Sequence, residues 1–162
     1  MYAGYKIAIP CGIAYIGLPS YSLILKGMFM NMSFIAKSLI IWFSITPLAI
    51  LNGALRENLL IPMVGAFAYP ISGILLSLCI FIVSYIFIPR LGTADKQTYV
   101  KMGIVWVLAT LIFETLLGLI MGNSFAEILE AYNVSTGNLW LFIVIFIGFV
   151  PTIVARMKKL AV

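Results

Sequence analysis

The chain has 162 residues, of which 64% are hydrophobic and only 9% are charged. A water-soluble domain has about 45–50% apolar and about 25% charged residues, so this composition excludes a globule that is exposed to water. The net charge of +5 does not indicate nucleic-acid binding, because the basic residues flank apolar runs instead of forming a patch with interleaved aromatic side chains. Histidine is absent, which removes the commonest haem and zinc ligand, and no cofactor is expected.

The N-terminal extension, residues 1–33, admits three interpretations. Ile7–Leu25 carries no charge, as in a membrane span, but it holds two prolines and two glycines, which fit a continuous helix in lipid poorly. An interfacial or disordered extension, a fifth span and a targeting segment therefore all stay open.

Residues 34–162 are predicted to form a four-helix transmembrane domain. Crossing a bilayer core of about 30 Å takes about 20 helical residues. Four apolar runs come close to that length, and they are Ser38–Leu55, Tyr69–Ile88, Met102–Met121 and Leu139–Ala155. The predicted fold class is therefore an all-α membrane protein, a bundle of four transmembrane helices.

The positive charges near the loops alternate in number and so predict an orientation. Lysine and arginine occur before the first run, between the second and third, and after the fourth. Only Arg56 lies between the first two runs, and no basic residue lies between the last two. By the positive-inside rule both termini face the cytoplasm. Four aromatic residues are expected to anchor the helices at the two interfaces, namely Trp42 and Trp106 inside and Tyr69 and Trp140 outside.

The loop between spans three and four predicts a short amphipathic helix on the outer face. Ser124 and Glu127 have the spacing of a capping box. A single apolar stripe at helical spacing follows, formed by Phe125, Ile128, Leu129 and Tyr132. One interpretation is a simple tether that covers the bundle. The other is a lid over an outward-facing site, made by Phe125, Glu127, Ile128 and Tyr132.

Glu114 is the main candidate for a functional residue. It lies in the third run, about 18 Å from the cytoplasmic boundary. A carboxylate at that depth is costly unless it is protonated or paired, so it should face the bundle interior. Glu114 shares a stripe of mostly small or polar residues, which permits close helix approach, with Gly103, Val107, Thr110 and Gly118.

The expected partners of Glu114 are on span one. Asn52 lies near the depth of Glu114, and Arg56 follows one turn above it on the same stripe. Glu57 should point about 100° away from Arg56 and pair with it less well. The cluster of Glu114, Arg56, Asn52 and Thr110 is either polar glue that fixes the packing of spans one and three, or a site for substrate binding or proton exchange.

Three short segments carry a resemblance to a group of small, uncharacterised bacterial integral membrane proteins. They are Leu51–Glu57 (LNGALRE), Phe113–Glu114, and Asn138–Trp140 (NLW). The resemblance covers about residues 34–159. It implies a multi-pass protein of the bacterial inner (cytoplasmic) membrane, and it implies no mechanism, because no activity is established for that group.

Two function hypotheses follow from these features. The first is a small inner-membrane protein that transports or binds a small solute at a polar intramembrane site centred on Glu114. Four spans are few for a carrier, so this hypothesis needs a homodimer or a larger membrane complex. The alternative is a non-catalytic membrane subunit or assembly factor with a structural polar cluster. An enzyme is disfavoured, because the sequence offers one intramembrane acid and no nucleophile–base pair.

Overall fold

The structure is a computed structural model that describes residues 32–162. The interpretations of the N-terminal extension therefore concern residues that lie, apart from 32 and 33, outside the described chain. The described elements are, in order, α1 (Phe34–Leu55), a π-helical turn (Arg56–Leu60), α2 (Ile61–Val64), a 3-10 turn (Gly65–Phe67), α3 (Ala68–Phe87), a 3-10 turn (Ile88–Leu91), α4 (Lys96–Ile120), α5 (Phe125–Glu130), a 3-10 turn (Val134–Thr136) and α6 (Trp140–Met157).

Three helical stretches of the described chain are long and apolar enough to cross a membrane. They are Phe34–Leu91, Lys96–Ile120 and Trp140–Met157. The first is 58 residues long and contains both α1 and α3. The helical fold expected from the sequence is confirmed at this level, whereas four separate spans stay a prediction.

The chain reverses between α1 and α3, although hardly any residue there leaves helical geometry. Gly65 has φ +58° and ψ −132°, a conformation that residues with a Cβ rarely adopt. After this turn α3 runs back and packs against α1. The long helical stretch is therefore a hairpin of two helices.

Polar caps explain why two helices begin earlier than the apolar runs do. The side chain of Ser33 accepts a hydrogen bond from the Ala36 N–H at 3.2 Å, and Asp95 accepts one from the Thr98 N–H at 2.8 Å. Each cap satisfies a free N–H group of the first turn. As a result α1 begins four residues before its apolar run, and α4 begins six residues before its run.

The long helices pack in a ring in which α1 and α6 each contact both α3 and α4. The closest approach joins α4 and α6, where a Cβ built on Gly103 would lie 2.0 Å from the carbonyl oxygen of Gly148. The two backbones touch at this point, as the predicted stripe of small residues on α4 requires.

Two tryptophans join α1 to α4 by hydrogen bonds. The Trp42 indole N–H donates to the Thr110 hydroxyl at 2.9 Å, and the Trp106 N–H donates to the Ser38 hydroxyl at 3.3 Å. Trp106 is completely buried. The expectation that Trp106 anchors the helix at a membrane interface is therefore wrong, because its ring lies inside the bundle and its polar group is satisfied by another helix.

The outward faces of the long helices are apolar. Large side chains with more than half of their surface exposed occur on every one of them, for example Phe43, Ile74, Ile112 and Phe149. Contiguous apolar surface of this extent is unfavourable in water and is the surface that lipid covers. The fold therefore agrees with a protein that resides in a membrane.

Candidate functional site

One end of the bundle contains a partly open cavity of about 590 Å³. It is lined by the C-terminal halves of α1 and α4, the N-terminal halves of α3 and α6, and residues of α5. All of these segments lie next to the loops that were predicted to face outward. The outer cavity, as we name it, falls within the size range of small-molecule sites, about 300–1,000 Å³.

Glu114 lines the outer cavity, and α6 and the loop after α5 hold its carboxylate. The indole N–H of Trp140, the first residue of α6, donates to Glu114 Oε2 at 2.6 Å. The hydroxyl of Tyr132 donates to the same oxygen. Two donors on one oxygen orient the side chain and leave Oε1 without a hydrogen bond from any described residue. Glu114 therefore offers one acceptor to an occupant of the cavity.

Both partners of Glu114 are set by local structure. The backbone N–H of Trp140 donates to the side-chain oxygen of Asn138 at 3.0 Å, which fixes the start of α6 and hence the direction of the indole. The Tyr132 N–H donates to the Leu129 carbonyl at 3.0 Å in the turn that ends α5. Partial burial, followed by the hydrogen bond to Glu114, raises the pKa of Tyr132 to about 12, so its hydroxyl keeps its proton at neutral pH.

The expected pairing of Glu114 with Arg56 is wrong. Arg56 Nε lies 3.0 Å from Glu57 Oε1, and the guanidinium lies over the ring of Tyr69 at 5.4 Å. The chain at Arg56 is a π-helical turn. The adjacent carboxylate of Glu57 and the ring of Tyr69 are within reach of Arg56, whereas Glu114 is held from the side of α6. Arg56 and Glu57 line the rim of the outer cavity.

Asn52 lines the outer cavity on the α1 side. Its Oδ1 is buried and accepts no hydrogen bond within the described chain. A buried amide oxygen without a donor is costly, about 1–3 kcal/mol, and such groups need an explanation such as a bound molecule. The structure places Asn52 and Glu114 in the same cavity, as the depth argument predicted.

Thr110 also lines the cavity, but its hydroxyl is already engaged. It donates to the Trp106 carbonyl at 2.8 Å and accepts from Trp42 at 2.9 Å. The structure thus gives Thr110 a packing contact between α1 and α4 in addition to its place in the wall.

The predicted outer helix forms, and its capping box is confirmed. Ser124 accepts from the Glu127 N–H at 3.3 Å, and the Ser124 N–H donates to the Glu127 carboxylate at 2.6 Å. The Ser124 hydroxyl also donates to the Glu127 carboxylate at 2.8 Å. The hydrogen bond from the Ser124 backbone, and then that from its hydroxyl, hold the pKa of Glu127 below its usual range. The helix ends at Glu130, so it is shorter than the stripe up to Tyr132 implied.

The residues proposed for a lid separate into two sets. Ile128 is buried against α4, where a Cβ on Gly118 would lie 2.8 Å from its side chain, and Ile128 and Glu127 line the outer cavity. Phe125 is 63% exposed and lies outside the cavity. The prediction of a single apolar stripe on α5 was therefore wrong, because one side of α5 packs on the bundle while Phe125 and Leu129 face away from it.

Sequence reasoning missed Trp140 as a residue of the site. It treated this tryptophan as an interfacial anchor and Tyr132 as an apolar contact, whereas both donate hydrogen bonds to Glu114. The sequence did contain one signal, the depth of Trp140 in the membrane. Trp140 lies near the start of the fourth run, on the side of the membrane towards which Glu114 lies. Within residues 32–162 no three side chains of the metal-ligating types come together.

The chain matches no protein-family model, and no curated protein and no solved structure is detectably similar to it.

Proposed function

We propose that this chain is a four-span protein of the bacterial inner membrane that binds or transports a small solute in the outer cavity, with Glu114 at its centre. Four spans are supported by the hairpin of α1 and α3, whose 22 and 20 residues are each long enough to cross. The basic residues near α4's start and α6's end support a cytoplasmic location for both termini. The resemblance to small bacterial membrane proteins supports the inner membrane.

The observation that carries the binding function is the open space beside Glu114. A carboxylate that serves only as polar glue between helices is expected to be surrounded by packed side chains that satisfy both oxygens. Glu114 instead borders a cavity of about 590 Å³ and has one oxygen free of protein donors within the described chain. The unpartnered oxygen of Asn52 borders the same space.

Movement of α5 and the loop behind it widens the entry for a solute from the outer side. Ile128 contacts Gly118, and Tyr132 contacts Glu114, so both contacts close the cavity towards α4. Release of Tyr132 leaves the Trp140 indole N–H on Glu114 Oε2 and makes room for a further donor from the solute. In this proposal α5 acts as a lid, and a homodimer or a larger complex completes a path across the membrane.

Cysteine labelling from outside tests whether the cavity holds water. Both native cysteines are replaced, and a cysteine is placed either at Asn52, which lines the cavity, or at Leu51, which is 64% exposed on the outside of the same helix. Intact cells stripped of the outer membrane are treated with a membrane-impermeant maleimide. We expect Asn52→Cys to react and Leu51→Cys, its neighbour at almost equal depth, to stay unmodified in lipid.

Equal labelling of the two positions, or no labelling at position 52, contradicts the proposal. In that case the alternative of a non-catalytic subunit or assembly factor gains support. Co-purification of a larger membrane protein at fixed stoichiometry, lost when Glu114 or Trp140 is replaced, would establish that alternative.

A further inference from the structure

The charges around the outer cavity are unbalanced. Glu57, Glu114 and Glu127 line it, and Arg56 is its one basic lining residue among those described. Arg56 already pairs with Glu57 at 3.0 Å. Within the described chain Glu114 has no cationic partner, and its two hydrogen-bond donors are neutral. The cavity therefore complements a positive charge better than a negative one.

Aromatic rings line the same cavity as Glu114. Trp42, Tyr69, Phe113 and Trp140 all line the cavity, and they belong to four different helices. Ring faces attract cations, and clusters of rings together with a carboxylate are the usual way in which proteins bind quaternary ammonium groups. Arg56 lies over the ring of Tyr69 at 5.4 Å, so that face already carries a cation of the protein itself.

Part of the cavity is aliphatic. Ile45, Leu76, Ile80, Ile143 and Ile147 line it, together with Thr46 and Trp106. The aliphatic side chains offer nothing to a hydrated ion, and a metal ion prefers several oxygen ligands at once. They do suit the apolar body of an organic molecule, which gains about 25 cal/mol for each Å² of apolar surface that leaves water.

We propose that the solute is an organic cation with an apolar body, whose charged head lies against Glu114 and the aromatic rings and whose body lies among the aliphatic side chains. This inference rests on the proposed binding function of the outer cavity and specifies its substrate class. Amphiphiles with quaternary ammonium or phosphonium heads have this chemistry, and the cavity volume of about 590 Å³ accommodates a drug-sized member of the class.

Two probes of nearly equal shape and opposite charge test the inference. Tetraphenylphosphonium and tetraphenylborate carry the same four phenyl rings around a central atom. Saturable binding of each to the protein in lipid nanodiscs is measured by equilibrium dialysis, with binding to empty nanodiscs subtracted. We expect the phosphonium to bind the full chain at least tenfold more tightly than the borate, and this comparison requires no substitution.

Matched variants then test whether Glu114 supplies the negative charge that binds the phosphonium. Glu114→Gln keeps the shape of the side chain and should weaken phosphonium binding at least tenfold. Glu130→Gln removes an acidic residue near the same end that is exposed and does not line the cavity, so it should bind as the unmodified chain does. Unchanged helix content by circular dichroism shows that both variants are folded.

Several results would overturn the inference. They are borate binding as tight as phosphonium binding, absence of saturable phosphonium binding, or full phosphonium affinity in folded Glu114→Gln. Each of these results excludes an organic cation as the substrate class. The proposed solute site itself is retained if Asn52→Cys is still labelled from outside. Failure of that labelling as well removes the binding function itself.

Discussion

The contact between Gly103 and Gly148 makes a sharp prediction about stability. A methyl group at position 103 would place its carbon 2.0 Å from the carbonyl oxygen of Gly148 and 2.9 Å from the carbonyl carbon. Carbon contacts become favourable only near about 3.5–4.0 Å, so α4 and α6 must separate by about 1 Å or more. Backbone atoms cannot rotate away as a side chain does. We therefore expect Gly103→Ala to cost at least the about 1–3 kcal/mol that overpacking usually costs.

Thermal unfolding in detergent, followed by circular dichroism, measures this cost. The control is Gly53→Ala in α1, where a Cβ would meet no heavy atom within 4 Å. That change improves helix propensity by up to about 1 kcal/mol and should leave the Tm unchanged or higher. A Gly103→Ala protein as stable as the unmodified chain would show that the two backbones do not touch, and would refute the packing of α4 on α6.

Three further predictions concern single side chains. Trp106→Phe removes the hydrogen bond to Ser38 and leaves a void in the core, so the free energy of unfolding should fall by about 2–4 kcal/mol. A denaturant titration measures this loss, and a loss under about 0.5 kcal/mol would contradict the burial of Trp106. Because the pKa of Tyr132 is raised to about 12, the contribution of Tyr132 to stability should be complete below the ordinary tyrosine range and disappear as the pH rises through about 12. The difference in tyrosinate absorbance between the unmodified chain and Tyr132→Phe gives the titration of this residue, and titration in the ordinary tyrosine range would contradict the prediction. Because the pKa of Glu127 is lowered, the capping box should persist above the ordinary glutamate range and open as the pH falls through the lowered value. Ser124→Ala removes only the hydroxyl and keeps the backbone N–H, so it should reduce this depression without abolishing it in a carboxyl NMR titration.

Much of the helical architecture was predictable, because a single physical requirement dictates it. Backbone polar groups in an apolar environment must bond within the segment, so long apolar runs form helices. The capping box of Ser124 and Glu127 was predictable for a similar reason, since its reciprocal hydrogen bonds are local and need only the right spacing. The interior position of Glu114 followed from the cost of exposing a carboxylate to lipid.

The partners of Glu114 were not predictable from the same reasoning. Helical rise places a residue along the axis, and it does not say which helix lies beside that residue. Arg56 had a suitable depth, but its side chain lies against the adjacent Glu57 and the ring of Tyr69 on α3. Trp140 was assigned to an interface because tryptophan is common there, and the close packing of α4 on α6 instead brings its indole to the carboxylate.

The central claim is that Glu114 lies in a water-accessible cavity between helices and does not face lipid. Treatment of membranes from the outer side with a hydrophilic carbodiimide and taurine, followed by peptide mass spectrometry, tests it directly. Glu57, which is exposed at the rim, serves as the internal control for reaction on that side. We predict that Glu114 is modified together with Glu57. Modification of Glu114 by a lipid-soluble carbodiimide alone, with only Glu57 reacting with the hydrophilic reagent, would contradict the account.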